Sequence, residues 1–285
     1  MKSYLLFVSP AALFCLILVK ALIPQASFSS FLPSSQTPTT PTTTPTSTPA
    51  ISPSPSPKAV KPSGPCAYLP VLMYHHIQSQ KQATDNGQTK FTVTPDFFKK
   101  HLEYLKSRGY TFVFPTDIAN FFNNKTPLPP KPVMITFDDA YEDVYTNAFP
   151  LLKELGVKAV IFTPTGLLEN SGYLNWGKLK EMTGSGLVIA ANHTWSHANL
   201  QKVDSATQAK EVLTADTQLS QNGLNNPKIF AYPYGSPASA IETLLSQNQY
   251  QLAFTTIPGR QLCLSERFRL PRVRVGNTPL SSYGL

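Results

Sequence analysis

Acidic residues are missing from the first 65 positions, which carry Lys2, Lys20, Lys58 and Lys61 and not one Asp or Glu. The formal charge of +8 therefore owes four of its positive charges to a segment with nothing to balance them, and the rest of the chain is only mildly basic. No block of Lys and Arg and no basic helix occurs anywhere, so the track that follows a phosphate backbone is absent and nucleic acid is excluded as a partner. Cysteine is scarce as well, with three in 285 residues. Cys15 lies in an apolar run, which leaves Cys66 and Cys263; in an oxidising compartment these two would pair and tie the start of the folded region to its end, and otherwise they stand as two buried thiols. There is no internal repeat, and the first quarter has no core-forming pattern, so the length supports about one domain. Histidine occurs five times, and none follows His197.

What is present begins with Tyr4 to Val19, almost wholly apolar behind Lys2, the charged head and hydrophobic body of an export signal. Counting on to Ile23 gives the length a bilayer needs, so residues 1–26 read as a signal peptide or a signal anchor. No small-x-small cleavage site stands out around Ala21 to Ser27, and Phe14 before Cys15 argues against a lipoprotein. The balance leans to an anchor, with the membrane as a partner through this segment if it is uncleaved. Residues 27–65 are rich in Pro, Thr and Ser and have almost nothing apolar to bury, the composition of a disordered stalk. At about 3.1 Å per residue it reaches roughly 120 Å when extended. Such a chain is exported, either membrane-anchored facing the outside or secreted to the cell envelope.

Residues 66–285 alternate in kind. Tyr68 to Tyr74 reads as a strand, Asp96 to Arg108 as a helix after the Thr94-Pro95 start signal, Thr111 to Phe114 as a strand and Thr116 to Phe122 as a helix. The series continues with strands at Val133–Phe137, Ala159–Pro164, Leu187–Ala191, Ile229–Tyr232 and Leu252–Thr256, separated by helices at 147–155, 178–182, 207–222 and 241–249. This predicts an α/β fold with a parallel sheet and covering helices, and so many units in about 220 residues favour closure into a barrel.

Two constellations sit where strands end, the place α/β folds reserve for ligands and chemistry. Asp138 and Asp139 follow the buried run Val133–Phe137, although one of them could serve only as a helix N-cap. His193 and His197 follow Leu187–Ala191, and their i, i+4 spacing puts both imidazoles on one side if the segment is helical. Two histidines and a carboxylate hold a divalent ion while leaving positions open for water and substrate, as a hydrolytic metal site requires. The mixed imidazole and carboxylate set suits one zinc ion, with cobalt or nickel as workable substitutes.

The ordered set LMYHHI, TFDDA, NHTWSH and FAYPYG, spanning about residues 68 to 275, resembles the polysaccharide deacetylase family, metal-dependent enzymes that remove N-acetyl or O-acetyl groups from glycans. The resemblance implies a distorted (β/α) barrel with fewer than eight regular units, forming a single catalytic domain. It makes Asp138 the general base, Asp139, His193 and His197 the metal ligands, and the main-chain N–H of Tyr234 a donor to the oxyanion. Many members take their general acid from a C-terminal Leu-x-His motif, which this chain lacks: the stretch reads RLPRVRV. One branch, which includes deacetylases of exopolysaccharide glucosamine polymers, uses a histidine near the start of the domain instead, and LMYHHI assigns that role to His75. Nearby carboxylates are expected to keep His75 protonated while Asp138 is ionised.

Three departures from the family pattern accompany the match. Ala140 replaces a glycine, which is accommodated if φ there is negative. Ala231 replaces an arginine that orients the base, a role Arg272 or Arg274 would take over. No separate glycan-binding domain is expected beyond the final strand. The implied substrate is an acetylated envelope or extracellular glycan of the peptidoglycan or poly-N-acetylglucosamine type. An O-acetyl glycan esterase, or a catalytically weak glycan-binding envelope protein, would use the same residues.

Overall fold

The computed structural model of the chain describes residues 63–237 and 239–285. The export segment and all but the last residues of the stalk lie outside them. Among the described residues, no helix is long and apolar enough to cross a membrane.

Seven parallel strands close on one another in the order in which the chain makes them: Val71–Tyr74, Pro132–Phe137, Ala159–Thr163, Val188–Asn192, Ile229–Ala231, Leu252–Pro258 and Leu270–Arg274. The seam pairs Val273 with Leu72 on one side of the first strand and Leu72 with Ile135 on the other. A short strand, Thr111–Phe112, hangs on Pro132–Phe137 outside the ring. The result is a (β/α) barrel with seven units rather than eight, in line with the expected distorted barrel.

Alternation along each strand sorts its residues between two cores. Val133, Ile135 and Phe137 face outward into a cluster with Phe98, Leu102 and Leu105 of helix Pro95–Ser107 and with Leu179 and Met182 of helix Trp176–Gly184. Met134 faces inward with Val71, Val160, Phe162, Ala191 and Phe254, and Ile118, Ala119 and Phe122 of helix Pro115–Phe122 join that inner cluster. Continuing the inward parity past Met134 and Thr136 brings the chain to Asp138, which is why its carboxylate opens into the barrel mouth.

Element boundaries follow the local chemistry. Thr94 caps helix Pro95–Ser107 by accepting from the Phe97 amide, with proline in the first turn, and Asp204 caps Ser205–Gln221 from the Thr207 amide. The expected strand Tyr68–Tyr74 is in fact two. Pro70 has no N–H for the ladder, so Cys66–Tyr68 separates and pairs antiparallel with Gln261–Cys263. Cys66 and Cys263 face each other in that register and are joined by a disulfide. A five-residue π-turn, Val144–Ala148, precedes helix Phe149–Leu155, and such turns gather at functional sites.

Candidate active site

The C-terminal strand ends surround a cavity of about 210 Å³ whose wall includes His75, Asp138, Asp139, His193, His197 and Tyr234. The structure thus collects in one place residues that the sequence spreads from His75 to Tyr234.

Asp139, His193 and His197 offer ligand atoms that all lie within 4.8 Å of one another. Nε2 of His197 stands 3.0 Å and Nε2 of His193 3.4 Å from the same oxygen, Asp139 Oδ1. These approaches are close in distance without the direction of a hydrogen bond, and Asp139 Oδ1 is buried with no hydrogen-bond partner. His193 is fixed by its other nitrogen: Nδ1 lies 2.8 Å from the Ala231 carbonyl, which only accepts, so the proton sits on Nδ1 and Nε2 presents a lone pair. A bare imidazole nitrogen facing a bare carboxylate oxygen in a buried site calls for a cation between them. The donor set fits a divalent ion. Burial alone would raise the Asp139 carboxyl, but the two imidazoles hold it well below its ordinary value. Burial opposes a charge on His197, and Asp139 overcomes this and raises its pKa.

The two histidines do not ride on a helix. Residues 193–198 form a loop in which Thr194 (φ 67°) and His197 (φ 61°) take the left-handed conformation, and this folding back brings the rings to 5.0 Å. The helical expectation failed because local side-chain acceptors bend the backbone. Asn192 Oδ1 accepts from the Thr194 amide, and Glu211, buried on helix Ser205–Gln221, accepts from the amides of Trp195 and Ser196 and from the Ser196 hydroxyl. Gly166 lies against the Trp195 ring so tightly that a Cβ there would stand 2.5 Å from Nε1.

Asp138 is buried and held by Arg272, whose Nη1 and Nη2 donate to its two oxygens at 2.7 Å each. Arg272 is itself fully buried, and its Nε donates to the Thr255 carbonyl at 2.8 Å. Burial would push the Asp138 carboxyl up, and Arg272 more than offsets it, leaving the carboxyl below its ordinary value and ionised. Of the two arginines considered, Arg272 makes this contact, while Arg274 lines the cavity beside Phe91.

His75 packs 5.3 Å from the Phe91 ring at the cavity wall. The expectation that carboxylates keep it protonated is overturned. Burial pulls its imidazole down to about 4, Asp138 and Asp139 oppose this, and Arg274 and Arg272 assist it. Burial is the largest effect, and the attraction of the two carboxylates, opposed by the two arginines, does not repay it. Its neighbour His76 points elsewhere: it bonds Asp143 at 2.6 Å and stacks on Tyr141 at 3.6 Å. His101 is a core residue bonded to Tyr74 and to the Thr278 carbonyl.

Tyr234 sits in a left-handed turn (φ 60°) with its ring 4.9 Å from that of His197. Gly235 follows at φ 76°, where a Cβ would stand 1.9 Å from Thr256 Oγ1, so only glycine fits. Asp139 (φ 73°) and Ala140 (φ 55°) are left-handed too. The negative φ expected at Ala140 is therefore absent; its methyl is buried in the outer core, which offsets a backbone cost of about 1–2 kcal/mol. Positive φ in non-glycine residues thus recurs around the metal-type cluster, the places where strain and function coincide.

Comparison with known proteins agrees with this geometry. The sequence profile described as polysaccharide deacetylase matches residues 125–253. YxkH of Bacillus subtilis (strain 168), whose name places it among the polysaccharide deacetylases, is 30% identical over 209 residues, covering 73% of this chain and 72% of that protein. The poly-beta-1,6-N-acetyl-D-glucosamine N-deacetylase of Staphylococcus epidermidis is 26% identical over 227 residues, covering 72% of this chain and 78% of that one. Among solved structures, the Streptococcus pyogenes deacetylase PplD in complex with acetate superposes with a TM-score of 0.66 at 30% identity, over 73% of this chain and 92% of that chain. The strand-end site in a closed parallel barrel defines a hydrolase of the metal-dependent kind. The chain belongs to the polysaccharide deacetylase family.

Proposed function

We propose that this protein removes N-acetyl groups from an acetylated envelope or extracellular glycan, with Asp139, His193 and His197 holding one divalent ion, zinc by preference. The observation that carries this reading is the orphaned oxygen of Asp139 between two imidazole nitrogens, next to an ionised, arginine-held Asp138. A bound divalent ion would supply Lewis acidity towards the acetyl carbonyl and lower the pKa of an attacking water. Asp138 accepts a proton from that water, its low pKa and fixed orientation keeping it ready as a base. The amide of Tyr234, a residue of the cavity wall, donates to the oxygen on which negative charge develops. His75 delivers a proton to the departing nitrogen. Because burial leaves it neutral in the resting protein, the proton it passes on is the one Asp138 takes from the attacking water, and that transfer returns Asp138 to its ionised form.

Residues 1–26 direct the domain out of the cell, as a cleaved signal or as an anchor that retains it at the membrane outer face by the 27–65 stalk. Sequencing the mature N-terminus in salt-washed membrane and soluble fractions decides between these. The activity itself is tested by supplying the purified protein with N-acetylated and O-acetylated glycans. Acetate released in equal amount to new free amine supports the reading, and acetate without amine replaces it with an O-acetyl esterase.

A further inference from the structure

The catalytic cavity has a neighbour on each side. Tyr141 is shared with a polar cleft of about 370 Å³, and Arg274 is shared with a cavity of about 640 Å³ lined also by Tyr68, Arg260, Gln261 and Tyr283. A groove of this kind suits a glycan chain with sugar units on either side of the one being attacked.

The two flanks differ in charge. The polar cleft contains Glu142 and Asp143, but each already has a partner: the Lys178 ammonium for the first and a hydrogen bond with the His76 ring for the second. The opposite cavity contains two guanidinium groups and no carboxylate. Among the described residues neither Arg260 nor Arg274 forms a salt bridge, and Arg260 Nε is buried with no hydrogen-bond partner. The other arginines of this stretch are all engaged: Arg267 with the Gln251 carbonyl, Arg269 with Glu242 and Arg272 with Asp138. The nearest carboxylates to act on Arg274 are Asp138 and Asp139, which serve Arg272 and the imidazoles. Arg274 is exposed and its donors face water, so the donor left without a partner inside the protein is Arg260 Nε, and an anion held by the two planar forks would pair both charges. Beside them the Tyr68 ring is 59% exposed, a flat apolar face against which a sugar ring can lie.

We propose that the Tyr68, Arg260, Arg274 and Tyr283 cavity is a subsite for a sugar unit that carries a negatively charged substituent, a carboxylate or a phosphodiester, next to the unit losing its acetyl group. The substrate is then an anionic glycan and not a neutral homopolymer. This rests on the deacetylase reading of the central cavity, and the test separates the two.

Three tetrasaccharides with one N-acetylglucosamine backbone are compared: neutral, bearing a carboxylated ether on alternate sugars, and bearing a phosphodiester on the sugar adjoining the acetamide. In the metal-loaded full chain, kcat/KM for at least one anionic substrate should exceed that for the neutral one by about tenfold, the scale of one charged hydrogen-bonded contact. The arm that shows the preference identifies the anion. In Arg260→Gln the ratio should fall towards one, while turnover of the neutral substrate, which also reports correct folding, stays within about twofold. Equal rates on all three substrates in the wild type, or a preference unchanged in Arg260→Gln, would overturn the subsite. Calorimetric binding of the three deacetylated products gives a readout that needs no catalysis. Anion-selective, Arg260-dependent binding without acetate release would sink the deacetylase reading and uphold the subsite. Acetate release without selectivity in rate or binding would do the reverse.

Discussion

Arg272 binds both oxygens of Asp138 across the barrel interior, from a residue 134 positions later in the chain. It makes, from the final strand, the contact with Asp138 that the family resemblance expects of an arginine at the position of Ala231. Because both partners are buried, removing the cation strands an uncompensated carboxylate, and Arg272→Ala should lose about 3–5 kcal/mol of stability. Its kcat should fall by about 10²-fold as the base loses its orientation. Arg272→Lys keeps the charge without the fork and should recover more stability than rate. Thermal melts with steady-state kinetics check this; wild-type kcat in Arg272→Ala would show that the base needs no such support.

Glu211 touches no ligand atom, yet its carboxylate holds the backbone between the two metal-site histidines through the amides of Trp195 and Ser196. Glu211→Ala should weaken metal affinity by about 10–100-fold while leaving the ion count at saturation unchanged. Competition with a chelator measures it, and an affinity equal to wild type would mean that the loop is held by its turns alone.

His75→Ala should lower kcat on an amide by about 10²-fold or more with metal content intact, and should retain more activity on an activated aryl ester, whose leaving group needs less protonation. His76→Ala acts only through Tyr141 and should cost much less in kcat. If His75→Ala keeps wild-type amide turnover or loses its metal, the proton comes from elsewhere.

The pH profile follows from the depressed His75. With its pKa at about 4, the imidazole is neutral above that value and gains a proton below it. The free protein that begins turnover has neutral His75 and ionised Asp138 across the neutral range, so kcat/KM should stay level from about pH 6 to 8. Metal content measured across the series separates any slope from loss of the ion. A break near the ordinary histidine value of about 6.5 that disappears in His75→Ala would contradict it.

Much of this was legible beforehand because the deciding signals are local. Val133–Phe137 followed by two aspartates reads as a strand end, and its period-2 parity already aims Asp138 inward. The Thr94-Pro95 start signal placed its helix within a residue, at Pro95–Ser107. What stayed hidden is set by tertiary contacts. The turn that joins His193 to His197 depends on a glutamate on the next helix, whose only trace in sequence is a charge on an apolar stripe with Ala215 and Leu219. Arg272 and Arg274 share one face of the last strand, and the choice between them depends on depth: Arg272 is fully buried, while Arg274 stands exposed at the strand end. The low pKa of His75 comes first from its burial in the folded cavity wall, which no spacing reveals.

The central claim is that one ion held by Asp139, His193 and His197 enables deacetylation, and a metal titration tests it most directly. Protein stripped by a chelator is loaded with increasing zinc while acetate release from an N-acetylated glycan and bound metal are measured together. Activity should be absent at the start and rise in proportion to bound zinc up to one ion per chain. A His193→Ala, His197→Ala double variant should bind none at that site and stay inactive. Full activity in the stripped protein or in the double variant would contradict the account.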